Sequence, residues 1–81
     1  MYRERLQVPS ENEFVRRSSR NESRKGQDTD IYEYDEINPE GELVARYVIR
    51  DSMSIYPPQT TTTLFSKYDL EGVQVDSGII Y

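Results

Sequence analysis

Basic side chains are concentrated near the N-terminus, at a spacing that suits the binding of phosphate groups. Five of them fall within ten positions: Arg16, Arg17, Arg20, Arg24 and Lys25. Such a cluster can bind nucleic acid because it releases the counterions held by the phosphate backbone. Against this, Glu22 interrupts the cluster, and residues 27–81 carry a net charge of −8 that would repel nucleic acid. We keep nucleic-acid binding as one alternative; the others are a solvated basic tail and a segment that folds against its own acidic sheet.

Tyrosines form the second chemically distinctive group. The chain has seven of them and no tryptophan. Tyr32 and Tyr34 share one face of a predicted strand, and Tyr47 lies in the strand that follows. Tyrosine is frequent in protein interfaces because its ring buries a large area while its hydroxyl keeps a polar partner. Half-buried strand residues are the simpler interpretation, but we predict a protein-binding surface at these three positions. The carboxylates around them would form an acidic rim suited to a basic partner.

Histidine and cysteine are absent from all 81 residues, which removes the usual groups for catalysis and metal binding. Without them the chain has no disulfide, no thiolate ligand and no imidazole to act as a base. Pairs of carboxylates occur, but most fall in or beside turns, where solvent covers them. Asp28-Thr29-Asp30 lacks the glycine and the distant glutamate of a calcium-binding loop. We therefore expect no enzyme activity, no catalytic residue, no metal and no cofactor.

The strongest structural pattern is a hairpin between Ile31 and Arg50. Alternation predicts one strand over about Ile31–Ile37 and a second over about Glu42–Arg50, joined by a turn at Asn38-Pro39-Glu40-Gly41. The second strand has apolar residues on both faces, which is typical of a central strand. Its cover has to come from another sheet, the N-terminal segment or a second subunit.

Two further β-type runs follow, over Thr60–Tyr68 and Val73–Tyr81, with a turn at Asp69–Gly72 between them. The two turns share the order Glu-Gly before a β run, so we expect two hairpins with similar turn chemistry, and Gly78 suggests a bulge or a bend. Pro57-Pro58 lies in the loop between the hairpins. The predicted fold is mainly β, a small four-stranded antiparallel meander.

Residues 1–29 have a different composition from the rest. Residues 16–30 contain no apolar side chain and cannot offset the entropy of ordering them, so a flexible basic arm is expected in front of a β-rich domain over residues 30–81. Ser10 and Glu13 fit a capping box, which predicts a short helix over residues 10–20.

The small size of the chain bears on its assembly and location. A domain of this size without disulfides or metals is commonly stabilised by oligomerisation, so we expect a homodimer. No apolar segment resembles a secretion signal or approaches the roughly 20 residues that span a membrane, so we expect a cytoplasmic protein without a membrane partner. The function predicted is non-enzymatic protein binding, as by an adaptor or an inhibitor; the alternative is a nucleic-acid-associated accessory protein that uses the arginine-rich arm.

Overall fold

The computed structural model describes residues 2–24, 26–54 and 61–80, which form one antiparallel sheet. The elements in chain order are α1 (Tyr2–Arg5), a single helical turn, and the strands β1 (Glu13–Arg24), β2 (Gln27–Ile37), β3 (Leu43–Ser54), β4 (Thr61–Tyr68) and β5 (Gln74–Ile80). Each strand pairs with the next along the chain, so the sheet is a simple meander in the order β1-β2-β3-β4-β5. Pro57-Pro58 and Lys25 lie outside the described residues.

The mainly β, antiparallel architecture is confirmed, but the predicted number of strands and the helix over residues 10–20 are wrong. Residues 13–24 form a fifth strand that pairs with β2 from Glu13 opposite Ile37 to Arg24 opposite Gln27. The expected domain boundary at residues 29 and 30 therefore falls inside β2. A polar strand is stable here because it lies at the edge of the sheet, where β2 satisfies its backbone and water solvates its side chains.

The predicted similarity of the two turns is confirmed. Asn38 Oδ1 accepts hydrogen bonds from the amides of Glu40 and Glu42 at 3.1 and 2.9 Å. Asp69 Oδ1 makes the same two bonds further along the chain, at 2.9 and 3.0 Å. Gly41 and Gly72 occupy the same place in the two turns, at φ of 82° and 83°, a conformation that glycine adopts without strain.

The sheet has two chemically different faces. The tyrosine face carries most of the aromatic residues; it consists of Phe14, Tyr32, Tyr34, Tyr47, Ile49 and Phe65 with their neighbours in register. The arginine face, on the other side, carries Arg17, Arg20, Arg46 and Arg50. Because strand residues alternate between faces, this division follows from the register alone.

The N-terminal segment covers one end of the tyrosine face. Val8 packs against Ala45 and Tyr47, and Leu6 and Phe14 lie against the same cluster. The central position predicted for β3 is confirmed: Tyr47 is 2% exposed and Ile49 is fully buried. Among the residues described, no helix has the length and apolar character that crossing a membrane requires.

The bulge expected at Gly78 lies elsewhere in β5. The register between β4 and β5 shifts at Tyr68, which leaves Val75 as the extra residue near the start of β5. Gly78 instead pairs regularly with Phe65, and a Cβ atom added there would lie only 3.1 Å from the phenyl ring. The glycine therefore makes room for the neighbouring aromatic side chain rather than for an irregular backbone.

Two adjacent residues of β1 test whether this strand belongs to the core. We expect Phe14→Ala to lower the free energy of unfolding by about 2–3 kcal/mol, because the Phe14 ring stacks on Tyr34 at 4.3 Å. Val15→Ala is the control; Val15 points to the other face and is 41% exposed, so its loss is expected under about 1 kcal/mol. Urea unfolding followed by circular dichroism measures both, and equal losses would contradict the packing of β1 on the tyrosine face.

Candidate protein-binding face

The three tyrosines predicted to bind a partner lie together on the tyrosine face. Tyr34 is directly opposite Tyr47 across β2 and β3, and Tyr32 is opposite Ile49. Their environments differ, however. The ring of Phe14 stacks on Tyr34 and meets Tyr47 edge-on with a centroid distance of 5.3 Å, whereas Tyr32 lies half-buried one pair further along the strand.

Tyr47 is held by a buried carboxylate. Its hydroxyl donates a hydrogen bond of 2.7 Å to Glu36 Oε1, and Asn12 Nδ2 donates to Glu36 Oε2 at 2.6 Å. Glu36 is only 6% exposed, so these two bonds stabilise a charge that burial alone would penalise. Burial and the neighbouring Glu36 carboxylate raise the pKa of Tyr47 well above its usual range, and burial also raises the pKa of Tyr34. Both hydroxyls therefore keep their protons at neutral pH.

The acidic residues beside the tyrosines are not the nearest ones in the sequence. Glu33 and Asp35 alternate with the tyrosines along β2 and so point to the arginine face, and Glu36 is buried. The carboxylates that share the tyrosine face in the exposed half of the sheet are Asp28, Asp30 and Asp51, which we call the acidic end. Alternation along β2 from Tyr32 predicts that Asp28 and Asp30 share its face. The position of Asp51 on that face could be assigned only from the register of β3 against β2.

Two aspartates of the acidic end occupy directly opposite positions on neighbouring strands. Asp30 and Asp51 are direct cross-strand partners, an arrangement in which like charges destabilise a sheet. Asn21 partly compensates, since its side-chain amide donates to Asp28 Oδ1 at 2.7 Å and to Asp30 Oδ1 at 2.9 Å. A shallow cavity of about 160 Å³ lies beside these carboxylates, with Met53 and Thr61 in its wall. Within the described ranges, no set of three or more acidic, histidine or cysteine side chains has the arrangement of a metal site.

The five basic residues predicted for nucleic-acid binding do not form one surface. Arg16 is opposite Tyr34 on the tyrosine face, whereas Arg17 and Arg20 lie on the arginine face. Arg24 is the last residue of β1, and Lys25 falls outside the described residues. Strand alternation therefore separates neighbours that the sequence places side by side.

Two arginines of β1 are paired with carboxylates of the neighbouring strand. Arg17 Nε lies 3.3 Å from Asp35 Oδ2, and Arg20 Nη1 lies 3.9 Å from Glu33 Oε1. Arg46 Nε approaches Asp35 Oδ1 from the next strand at 3.8 Å, so one carboxylate lies between two guanidinium groups. These pairs are partly exposed and each contributes little to stability, but together they lower the positive charge available to an external phosphate.

A cavity of about 280 Å³ opens beside this pair of arginines, between β3 and the turn that joins β4 to β5. Arg17, Asp35, Arg46, Tyr68 and Leu70 are among the residues that line it. Cationic and anionic groups alternate around its wall. The cavity therefore has no single sign of charge with which to select a ligand.

The hydrogen bond between Tyr47 and Glu36 predicts a specific pH dependence. In the unfolded chain tyrosine loses its proton above pH of about 10, whereas in the fold Tyr47 retains it, so this group's contribution to stability is complete below that pH and falls as the pH rises above it. We expect Tyr47→Phe to cost about 1.5–3 kcal/mol at pH 7, because Glu36 loses a donor, and to flatten the decline above pH 10. Denaturant unfolding between pH 7 and 11 measures both effects.

Tyr68→Phe is the matched control, since it removes a hydroxyl from the arginine face and leaves Tyr47 in place. It should keep the alkaline decline of the unmodified protein. An unchanged decline in Tyr47→Phe would show that the buried hydrogen bond does not couple stability to pH.

Comparison with known proteins supplies no relative from which a function could be transferred. No protein-family model, curated protein or solved structure matches this chain. A function can therefore be inferred only from the geometry and charge of the two sheet faces.

Proposed function

We propose that the protein has no catalytic activity and acts by binding another protein, as an adaptor or inhibitor does, through the tyrosine face and its acidic end. The partner would present a basic segment, with lysine or arginine side chains that reach the carboxylates. The observation that carries this proposal is the direct opposition of Asp30 and Asp51 beside the half-buried ring of Tyr32. The cytoplasmic location expected from the sequence is part of the same proposal.

The opposed aspartates favour a cationic partner for an energetic reason. Two carboxylates at adjacent strand positions repel each other in the unbound protein, and a cation placed between them would convert this repulsion into attraction. Tyr32 and Met53, which is 40% exposed, add apolar contact area next to the charges. Charge complementarity would then steer the partner to this end of the sheet, and the aromatic contact would slow its release.

Tyr34 and Tyr47 support this surface from its covered end. Leu6, Val8 and Phe14 lie against them, so a partner would contact these two rings only after the N-terminal segment had moved away. We therefore assign the direct contact to Tyr32. The predicted contact by Tyr34 and Tyr47 remains an expectation for a state in which that segment is displaced.

The aspartate pair predicts opposite effects on stability and on binding. Asp51→Asn removes one charge at nearly constant shape, so we expect it to raise the free energy of unfolding by about 0.2–1 kcal/mol. The same change should weaken the binding of a basic partner, because that interaction loses a carboxylate. Urea unfolding checks the first effect; destabilisation by Asp51→Asn would show that the two charges do not repel each other in the fold.

Affinity capture with matched variants tests the proposed function. The immobilised protein would be compared with Tyr32→Ala, Asp51→Asn and the control Glu71→Gln, which makes the same charge change in the turn between β4 and β5. We expect the unmodified protein to capture a partner that has a lysine- or arginine-rich segment. Both tyrosine-face variants should fail to capture this partner, and the Glu71→Gln control should still capture it. Calorimetry with that purified protein should then show at least about a tenfold loss of affinity for each tyrosine-face variant, or about 1.4 kcal/mol.

Binding measurements with DNA distinguish the nucleic-acid alternative from the proposed function. Binding of a labelled duplex DNA would weaken steeply with added salt and would be lost in Arg17→Ala/Arg20→Ala. If this result were obtained, and if Tyr32→Ala and Asp51→Asn captured the same proteins as the unmodified chain, the proposed function would be contradicted and the alternative favoured.

A further inference from the structure

We propose that two copies of this chain join edge to edge through β5, in antiparallel register about a two-fold axis at Ser77, to form one continuous ten-stranded sheet. The partner is a second copy of the chain. This contact uses neither Tyr32 nor the acidic end, so the inference is independent of the proposed function.

The two outer strands of the sheet differ in their protection against such pairing. β1 carries Arg16, Arg17, Arg20 and Glu22, and the extra residue of its bulge, Arg17, lies near the middle of the strand. Charged side chains and bulges are the devices by which sheet edges avoid association. β5 has Asp76 as its single charged residue, and its bulge lies near the start, at Val75, which leaves a regular strand from Asp76 to Ile80.

The outer backbone edge of β5 is unpaired within the described residues, and the strand carries exposed apolar side chains. β5 is the last strand in the sheet order, and no described strand lies beyond it. Val75 is 55% exposed and Ile79 is 49% exposed, and Leu64 on β4 lies beside Ile79 on the same face. An exposed strand edge with apolar side chains is a template for pairing with another strand.

Symmetry restricts the register of the pairing. Directly opposite residues share a face, so two identical antiparallel strands can pair only about an axis that lies midway between one residue and the same residue of the other copy. An axis at Ser77 places Val75 opposite Ile79 of the other copy, on both sides of the axis. Apolar side chains then contact each other on one face of the combined sheet, which is a stabilising cross-strand arrangement.

The neighbouring registers are less favourable. An axis at Asp76 would place two carboxylates directly opposite each other, and an axis at Gly78 would place two glycines at the centre, where no side chains pack. With the axis at Ser77, Asp76 instead faces Gly78 of the other copy. In this register Asp76 therefore has no like charge opposite it, and the ring of Phe65 covers Gly78 from β4.

Single cysteines test the register directly, because the chain has no cysteine of its own. Opposite Cα atoms in an antiparallel pair are about 4.5–5.5 Å apart, which is within the range that a disulfide spans. We expect Ser77→Cys to form a covalent dimer under mild oxidation. Val75→Cys and Ile79→Cys, at exposed positions that are opposite each other in this register, should each crosslink poorly alone and efficiently when the two variants are mixed.

Lysine substitutions test the same contact without oxidation. Light scattering and sedimentation velocity should show a concentration-dependent dimer for the unmodified chain. Val75→Lys/Ile79→Lys should raise its dissociation constant at least about tenfold, because it places charges on the pairing edge. Val15→Lys on β1 is the matched control and should leave the dimer intact; circular dichroism would verify that each exposed substitution keeps the fold.

The inference would be overturned by a monomer at all concentrations, by a dimer that survives Val75→Lys/Ile79→Lys, or by preferential crosslinking of Val75→Cys or Ile79→Cys alone. Growth into larger oligomers would also contradict it, since β5 pairing with β1 of the next copy would not close. Tyr32→Ala and Asp51→Asn should leave the dimer unchanged, so failure of this inference and failure of the proposed function are distinguishable.

Discussion

The buried carboxylate of Glu36 is the interaction on which the arrangement of this protein depends. It lies on β2 and accepts two hydrogen bonds, one from the hydroxyl of Tyr47 on β3 and one from the side-chain amide of Asn12 in the segment before β1. Three separate parts of the chain therefore meet at one charged group. Because an ionised carboxylate is stable inside a protein only when donors surround it, the fold positions all three parts together.

This contact helps to cover the apolar residues that a single sheet of this size leaves exposed to water. One sheet has two faces, and the described residues form no second sheet or long helix to cover it, so the apolar residues of β3 need cover from elsewhere. The N-terminal segment supplies it over one half of the tyrosine face, where Leu6 and Val8 pack beside Phe14. The other half keeps its polar and acidic side chains within reach of a partner. The covered end of this face serves stability, and the proposed function assigns recognition to the other end.

Charge is distributed in the fold very differently from its distribution along the chain. The sequence has a basic first third and an acidic remainder, which resembles a cationic tail attached to an anionic body. In the fold much of the tail is β1, and two of its arginines, Arg17 and Arg20, lie against Asp35 and Glu33 of the neighbouring strand. The separation of charge along the chain thereby becomes local pairing across two strands. Asp28, Asp30 and Asp51, which have no such arginine neighbour among the side chains that the structure describes, share the opposite face.

The sequence by itself determined the β class, the central position of β3, the chemistry of the two Asx-Glu-Gly turns and the common face of Tyr32 and Tyr34. These properties depend on side-chain alternation and on turn residues, which are local. It did not reveal that residues 13–24 form a strand, because a polar edge strand has no apolar alternation and draws its stability from the neighbour that pairs with it. Only the tertiary structure decided that Tyr47 is a core residue bonded to Glu36 and that Asp51 lies opposite Asp30. Those relations depend on register between strands, and register is set by the packing of the whole sheet.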